Sequence, residues 1–84
     1  MIDILLVEDN RELAELLQAF LEKDGFSVSS VSTGEEASAY LEENCVKILL
    51  LDIMLPGMDG FAVCRAVREK GNIPILIMSA RAGR

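Results

Sequence analysis

Oxygen-bearing side chains stand directly after three of the hydrophobic runs in this sequence. Glu8 and Asp9 follow the run 2–7, Asp52 follows the run 46–51, and Ser79 follows the run 75–78. If these runs are parallel strands, their carboxyl ends meet at one edge of a sheet, which is where ligands bind in open α/β folds. Three carboxylates and a hydroxyl are then predicted to converge at that edge.

Each of these residues, taken alone, also has a plain structural explanation. Glu8 or Asp9 could complement the dipole at the start of a first helix, and a lone Ser79 is typical of a loop. Asp52 is harder to explain in this way. It emerges from four consecutive apolar residues, where an unpaired charge is costly unless a partner or a metal compensates it. The conjunction of the four side chains indicates a site.

Three neighbouring acids without a nearby basic residue repel one another, so the predicted cluster favours a cation. Mg²⁺ fits, because proteins hold it with one or two carboxylates together with water and phosphate oxygens. Mg²⁺ beside a carboxylate suggests phosphoryl transfer in which the carboxylate is the nucleophile and becomes an aspartyl phosphate.

Hydrophobic patterning predicts the elements that would position these residues. Short apolar runs alternate with amphipathic stretches in the order β-α-β-α-β-α-β, which indicates an α/β fold with a parallel sheet, right-handed crossovers and helices on both faces. The first helix is predicted to carry one apolar stripe, made of Leu13, Leu16, Leu17, Phe20 and Leu21.

Local signals predict where the elements begin and end. Gly25 suits a left-handed helix cap, and Thr33 with Glu36 is typical of a capping box at the start of the second helix. Asp59 is predicted to cap the third helix. Asn72 and Pro74 indicate a turn before the fourth strand.

Composition excludes several classes of function. The 84 residues allow one domain. The absence of histidine excludes histidine-based zinc sites and acid–base catalysis, and a net charge of −6 argues against nucleic-acid binding by this chain. No apolar run approaches the ~20 residues of a membrane span, and no signal-peptide pattern is present. We therefore expect a cytoplasmic protein.

Three segments resemble the response-regulator receiver domain of two-component signalling. Residues 4–10 (ILLVEDN) are similar to the start of that domain, with its acidic pair after the first strand. Residues 52–60 (DIMLPGMDG) resemble its phosphoacceptor loop, and residues 74–80 (PILIMSA) resemble the strand that delivers its Thr or Ser followed by Ala. The resemblance covers essentially the whole chain and implies a flavodoxin-like fold.

The resemblance also implies a role for each matching residue. Asp52 becomes the phosphoacceptor and Ser79 the hydroxyl that hydrogen-bonds the phosphoryl group. Glu8 and Asp9 become Mg²⁺ carboxylates, with Asp9 in direct contact and Glu8 acting through water, and Met54 offers its backbone carbonyl to the metal. The implied phosphodonor is a sensor histidine kinase, which acetyl phosphate can replace.

The chain departs from the family pattern after its fourth strand. A complete receiver has a fifth strand with a lysine that contacts the phosphoryl group, an aromatic switch residue and two further helices. Arg81 and Arg84 come too early to be that lysine. We therefore expect residues 1–84 to be a C-terminally truncated receiver, β1 to β4, without an output domain.

Two other functions are alternatives to the phosphoacceptor interpretation. The fragment could be a structural or interaction module that self-associates through the exposed edge of its fourth strand, or completes its fold by dimerisation or by exchange of elements. A phosphatase of the haloacid-dehalogenase type also uses an aspartyl nucleophile. That family needs a second Asp two residues later, where this chain has Met54.

Overall fold

The computed structural model describes residues 1–52 and 60–78. Within them the predicted alternation of strands and helices is confirmed. The elements are β1 (Ile2–Val7), α1 (Arg11–Lys23), β2 (Val28–Val31), α2 (Gly34–Glu43), β3 (Val46–Asp52), α3 (Gly60–Lys70) and β4 (Ile75–Met78). The bounds of β1 and β4 agree with the sequence prediction, because short runs of β-branched and aliphatic residues are flanked there by polar or turn residues.

The four strands form one parallel sheet in the order β2-β1-β3-β4. β1 and β3 are its two inner strands, and each is paired on both sides. The chain leaves β1 towards one edge to form β2, then crosses back to form β3, so the strand order reverses between β1 and β3. That reversal marks the place where open α/β sheets bind ligands.

Helices cover both faces of the sheet, and each face has its own hydrophobic cluster. On one face Leu5 and Leu49 pack with residues of α2 and α3, among them Ala37 and Val63. On the other face the cluster contains α1 and is smaller, with the buried residues Ile4, Leu6, Ala14 and Val28. Strand side chains alternate between the two clusters because successive residues of a strand point to opposite faces.

α1 is capped at both ends, by Asn10, which the sequence analysis did not predict, and by the predicted Gly25. The side chain of Asn10 accepts a hydrogen bond from the amide of Leu13 and caps α1. Gly25 follows α1 with φ 97°, a left-handed conformation that glycine adopts without a steric penalty. The Asp59 cap predicted for α3 lies outside the described residues.

The capping box of α2 is present with a shift of one residue. Thr33 Oγ1 accepts from the Glu36 amide at 3.1 Å, as predicted. Glu36 Oε1 accepts from the amide of Ser32 at 2.8 Å and from its hydroxyl at 3.0 Å. In the usual capping box, the Glu side chain accepts from the backbone amide of the cap residue itself, which here is Thr33. Both ends of the turn before α2 are therefore fixed by side chains.

The apolar stripe predicted for α1 is only partly buried. Leu17 and Leu21 pack against the sheet, but Leu16 is 66% exposed and Phe20 is 65% exposed. A 3.6-residue period identifies which residues share a side of a helix, whereas burial depends on how far the neighbouring layer extends. The sheet beneath α1 covers only part of the stripe.

The pKa of Glu36 predicts an acid-sensitive contribution to stability. The backbone amide of Ser32, followed by its hydroxyl, lowers the pKa of Glu36 below the ordinary 4.5. A lowered pKa stabilises the fold fully above the ordinary value, and this contribution is lost as the pH falls through the folded-state value. We expect Glu36→Gln to reduce the free energy of unfolding at pH 7, with the difference from wild type closing below pH 4.5.

Urea unfolding of both proteins across this pH range measures the effect. Glu35→Gln is the matched control, since it removes the same charge from the same helical turn without a bond to Ser32. A Glu36→Gln deficit that stays constant down to acid pH would contradict the assignment.

Candidate functional site

Glu8 is a buried carboxylate at the carboxyl end of β1. Its side chain is 2% exposed, which is unusual for an acid because burial of a charge requires compensating partners. Its backbone amide donates to Val31 O at 3.0 Å, so the residue continues the pairing of β1 with β2. Its Oε2 accepts from the amide of Asn10 at 3.0 Å. The carboxylate is thus held at the sheet edge by the backbone of the turn that follows it.

The turn from Glu8 to Asn10 is fixed from both sides. The Glu8 carboxylate holds the Asn10 amide, while Asn10 Oδ1 accepts from Leu13 at 3.1 Å and anchors the turn to the first turn of α1. Asp9 lies between these two anchors and is exposed. One buried and one exposed carboxylate therefore stand side by side on a rigid segment.

Strand register brings the backbone of Asp52 to the same edge. Val7 pairs with Leu51, so Glu8 and Asp52 are the next residues along two adjacent strands. Parallel strands lie roughly 4.8 Å apart. Asp52 pairs in turn with Met78, the residue that precedes Ser79. The predicted meeting of the three strand ends is confirmed for the backbone of Glu8, Asp52 and Met78.

Part of the predicted site lies beyond what the structure describes. This applies to the side chain of Asp52 and to the whole of Met54 and Ser79, whose roles stay predictions. Among the described side chains, no group of three or more His, Cys, Asp or Glu could hold a metal ion. Glu8 and Asp9 supply two carboxylates, and oxygen donors of this kind suit a hard cation such as Mg²⁺.

A groove of about 720 Å³ opens beside the acidic turn, between α1, β2 and α2. Glu8, Asp9, Arg11 and Glu36 are among its lining residues. Glu36 serves the cap of α2, and its bonds to Ser32 assign it a structural role. The sequence analysis missed this groove. The cap at Thr33 could be recognised from the sequence, but no local sequence signal shows on which side of the sheet α2 packs.

Comparison with known proteins agrees with this geometry. The family model described as the response regulator receiver domain matches residues 4–84. The sensory transduction protein RegX3 of Mycolicibacterium smegmatis is 41% identical over 81 residues, which are 96% of this chain and 36% of that protein. The transcriptional regulatory protein CseB of Streptomyces avermitilis is 39% identical over 79 residues, 94% of this chain and 34% of that protein.

The chain belongs to the response-regulator receiver family. It is therefore a signalling module of two-component systems rather than an enzyme. The chain spans about a third of the length of these curated relatives, 34% for CseB and 36% for RegX3.

Solved receiver structures share the fold. The receiver domain of sensor histidine kinase PA1611 from Pseudomonas aeruginosa superposes with a TM-score of 0.89 at 32% identity. The match covers 99% of this chain and 70% of that one. The PA1611 structure holds a magnesium ion coordinated in its active-site cleft. The receiver domain of the Francisella response regulator 1452 gives a TM-score of 0.88 at 25% identity, covering 95% of this chain and 67% of that one. The four-strand order and three helices are therefore the shared receiver architecture.

Membrane-spanning character is absent from the helices that the structure describes. None of those in residues 1–52 and 60–78 combines the length and the apolar composition that a bilayer crossing needs.

The Asn10 cap provides a test of how the acidic turn is held. We expect Asn10→Ala to lower the free energy of unfolding by about 1 kcal/mol, because the Leu13 amide loses its side-chain acceptor. Asn10→Ser, which retains an acceptor oxygen at the cap, should recover most of this loss. Chemical denaturation of the three proteins measures the difference. Equal stability of Asn10→Ala and wild type would mean that the cap does not hold the turn.

Proposed function

We propose that this receiver accepts a phosphoryl group on Asp52 from a sensor histidine kinase. The observation that supports this most directly is the pairing register, which aligns Asp52 at the end of β3 with the buried Glu8 at the end of β1. Residues 1–84 would then be the β1-to-β4 part of a receiver domain, acting in the cytoplasm.

The residues at this edge fit a Mg²⁺ ion. Glu8 and Asp9 are carboxylates on a rigid turn, and with Asp52 and the backbone carbonyl of Met54 they would form a set of hard oxygen donors. The bound ion would neutralise charge on the transferring phosphoryl group. The magnesium-containing PA1611 receiver domain supports the choice of metal.

The protein's own groups account for the bond changes of the transfer. A carboxylate oxygen of Asp52 would attack the phosphorus of the kinase phosphohistidine, forming a P–O bond while the P–N bond breaks and the imidazole leaves with the bonding electrons. The Ser79 hydroxyl would donate a hydrogen bond to a phosphoryl oxygen. Asp52 would act as the nucleophile through a carboxylate oxygen.

A cationic contact implied by the family resemblance is missing from these 84 residues. The sequence contains no lysine after Lys70. Removal of one preorganised donor that stabilises transition-state charge typically costs roughly 10²–10³ in rate. We therefore expect the 84-residue polypeptide, tested by itself, to bind the metal with the residues present and to transfer the phosphoryl group slowly.

Intact-mass spectrometry after incubation with acetyl phosphate and Mg²⁺ tests the acceptor. We expect slow addition of one phosphoryl group, because Asp52 supplies the nucleophile while the cationic contact is missing. No addition should occur in Asp52→Asn or with EDTA in place of Mg²⁺. Modification that persists in Asp52→Asn would place the acceptor elsewhere. No modification of wild type, even after long incubation, would contradict phosphotransfer by this chain.

A second candidate function is that of a self-associating interaction module. The exposed outer strand favours it, since Leu76 of β4 is 61% exposed and Ile77 is 43% exposed. The Leu49 amide donates to Pro74 O at 2.9 Å, so alternate residues of β4 bond to β3, and the backbone groups of Ile75 and Ile77 point away from the sheet. Such an edge is a template for pairing with another chain.

The two candidate functions differ in whether they depend on the acidic site. Association that is unchanged by Mg²⁺ and by Asp52→Asn would favour the interaction module. Association that responds to both would favour the phosphoacceptor.

A further inference from the structure

Asn10 is the residue through which the acidic turn is joined to α1. Three of its hydrogen-bonding groups have partners on the two sides of this junction. Its amide donates to Glu8 Oε2 at 3.0 Å, its Oδ1 accepts from the Leu13 amide at 3.1 Å, and its carbonyl accepts from the Ala14 amide at 2.9 Å. One residue therefore holds both a carboxylate at the sheet edge and the first turn of the helix.

Both sides of this junction are anchored in the interior. Ala14 is 5% exposed and belongs to the same buried cluster as Ile4 and Leu6 of β1. Glu8 follows the carboxyl end of β1 and is 2% exposed. Close-packed interiors permit little displacement of the groups they hold. The amide of Asn10 is therefore kept in a fixed position relative to the Glu8 carboxylate.

The bond from Asn10 orients the Glu8 carboxylate without exhausting its capacity to accept. A carboxylate offers about four lone-pair positions, and the Asn10 amide takes one of them. In metal sites, groups that hydrogen-bond a ligating side chain orient it, and their loss typically weakens metal binding by roughly 10–100-fold. The Asn10 amide stands in this relation to Glu8 in the Mg²⁺ site proposed above.

The side chain of Asn10 has a separate effect, because it decides what caps α1. The first amides of a helix lack intrahelical acceptors and attract nearby carboxylates. Glu8 and Asp9 are the acids that immediately precede Asn10, and an acid at this place is itself a good cap. At the Leu13 amide, however, the acceptor is the uncharged amide oxygen of Asn10. This cap bond is therefore made without drawing on a carboxylate of the turn.

We propose that Asn10 is a positioning residue for Mg²⁺: its amide orients the Glu8 carboxylate, and its side chain caps α1 in place of the acids. The proposal rests on the Mg²⁺ site of the proposed function and names the residue that organises it. Asn10 acts through Glu8 and Asp9 and is not itself a ligand. A cap that served stability alone would leave the metal affinity of the folded protein unchanged, so the two roles are separable by experiment.

Metal titration of the 84-residue polypeptide, well below its unfolding transition, tests the proposal. Mn²⁺ shares the preference of Mg²⁺ for oxygen ligands. The electron paramagnetic resonance signal of free Mn²⁺ falls as the ion binds, and competing Mg²⁺ restores it. We expect Asn10→Ala to raise the dissociation constant of Mg²⁺ roughly tenfold, the lower end of the effect of losing a partner that orients a ligand. Asn10→Ser retains an acceptor oxygen at the cap and should bind Mg²⁺ nearly as tightly as wild type.

Thr33→Ala is the matched control for loss of a helix cap. Thr33 Oγ1 accepts from the Glu36 amide at 3.1 Å, which is the same kind of bond, at the same distance, at the start of α2. Thr33 is not part of the acidic turn. Its replacement should lower stability by a similar amount and leave the affinity for Mg²⁺ unchanged.

The possible outcomes separate the role of Asn10 from the proposed function. Weaker Mg²⁺ binding in Asn10→Ala but not in Thr33→Ala, with recovery in Asn10→Ser, would support the positioning role. Equal affinity in Asn10→Ala and wild type, or equal weakening in Thr33→Ala, would overturn that role while leaving the Mg²⁺ site and phosphotransfer to Asp52 in place. A wild-type polypeptide that binds neither ion would overturn the Mg²⁺ site and the role of Asn10 with it.

Discussion

The parallel pairing of β1 with β3 is the constraint on which both the fold and the site depend. These inner strands are apolar over most of their length, and the buried residues Leu5, Leu6, Leu49 and Leu51 are fully shielded from solvent. A strand buried on both faces tolerates little slippage, because a shift by one residue would exchange the side chains of the two clusters. The register that satisfies both faces is also the register that aligns Glu8 with Asp52. Packing in the core thus determines which polar residues meet at the carboxyl edge.

The acidic side chains at the two ends of β1, Asp3 and Glu8, have different kinds of partner. Near the amino end, Asp3 accepts from the amide of Ser27 at 2.9 Å and pairs with Lys47 at 3.2 Å. The Ser27 amide and then Lys47 lower the pKa of Asp3 below its ordinary 3.8. At the carboxyl end Glu8 is more deeply buried, and its Oε2 accepts from the backbone amide of Asn10. A carboxylate held in this way lies at the edge where the Mg²⁺ site is proposed.

Much of the fold could be predicted from local sequence chemistry, because the relevant interactions are short in range. Gly25 and Thr33 mark the end of α1 and the start of α2 through backbone geometry and a side-chain acceptor, both of which involve only neighbouring residues. The edge shared by Glu8 and Asp52 was also predictable, since it follows from strand order alone. The bond from Ser32 to Glu36 Oε1 was not predictable, because the capping-box pattern assigns that side chain to the amide of Thr33 instead.

The exposure of Leu16 and Phe20 shows why a hydrophobic period cannot by itself define a core. The period of α1 groups five apolar residues on one stripe, but the width of the stripe exceeds the sheet surface that β1 and β2 present beneath it. Leu17 and Leu21 use that surface, while Leu16 and Phe20 lie outside it, and Ile48 of β3 and Leu76 of β4 are exposed as well. Apolar surface continuous across a helix and a sheet is costly to leave in water.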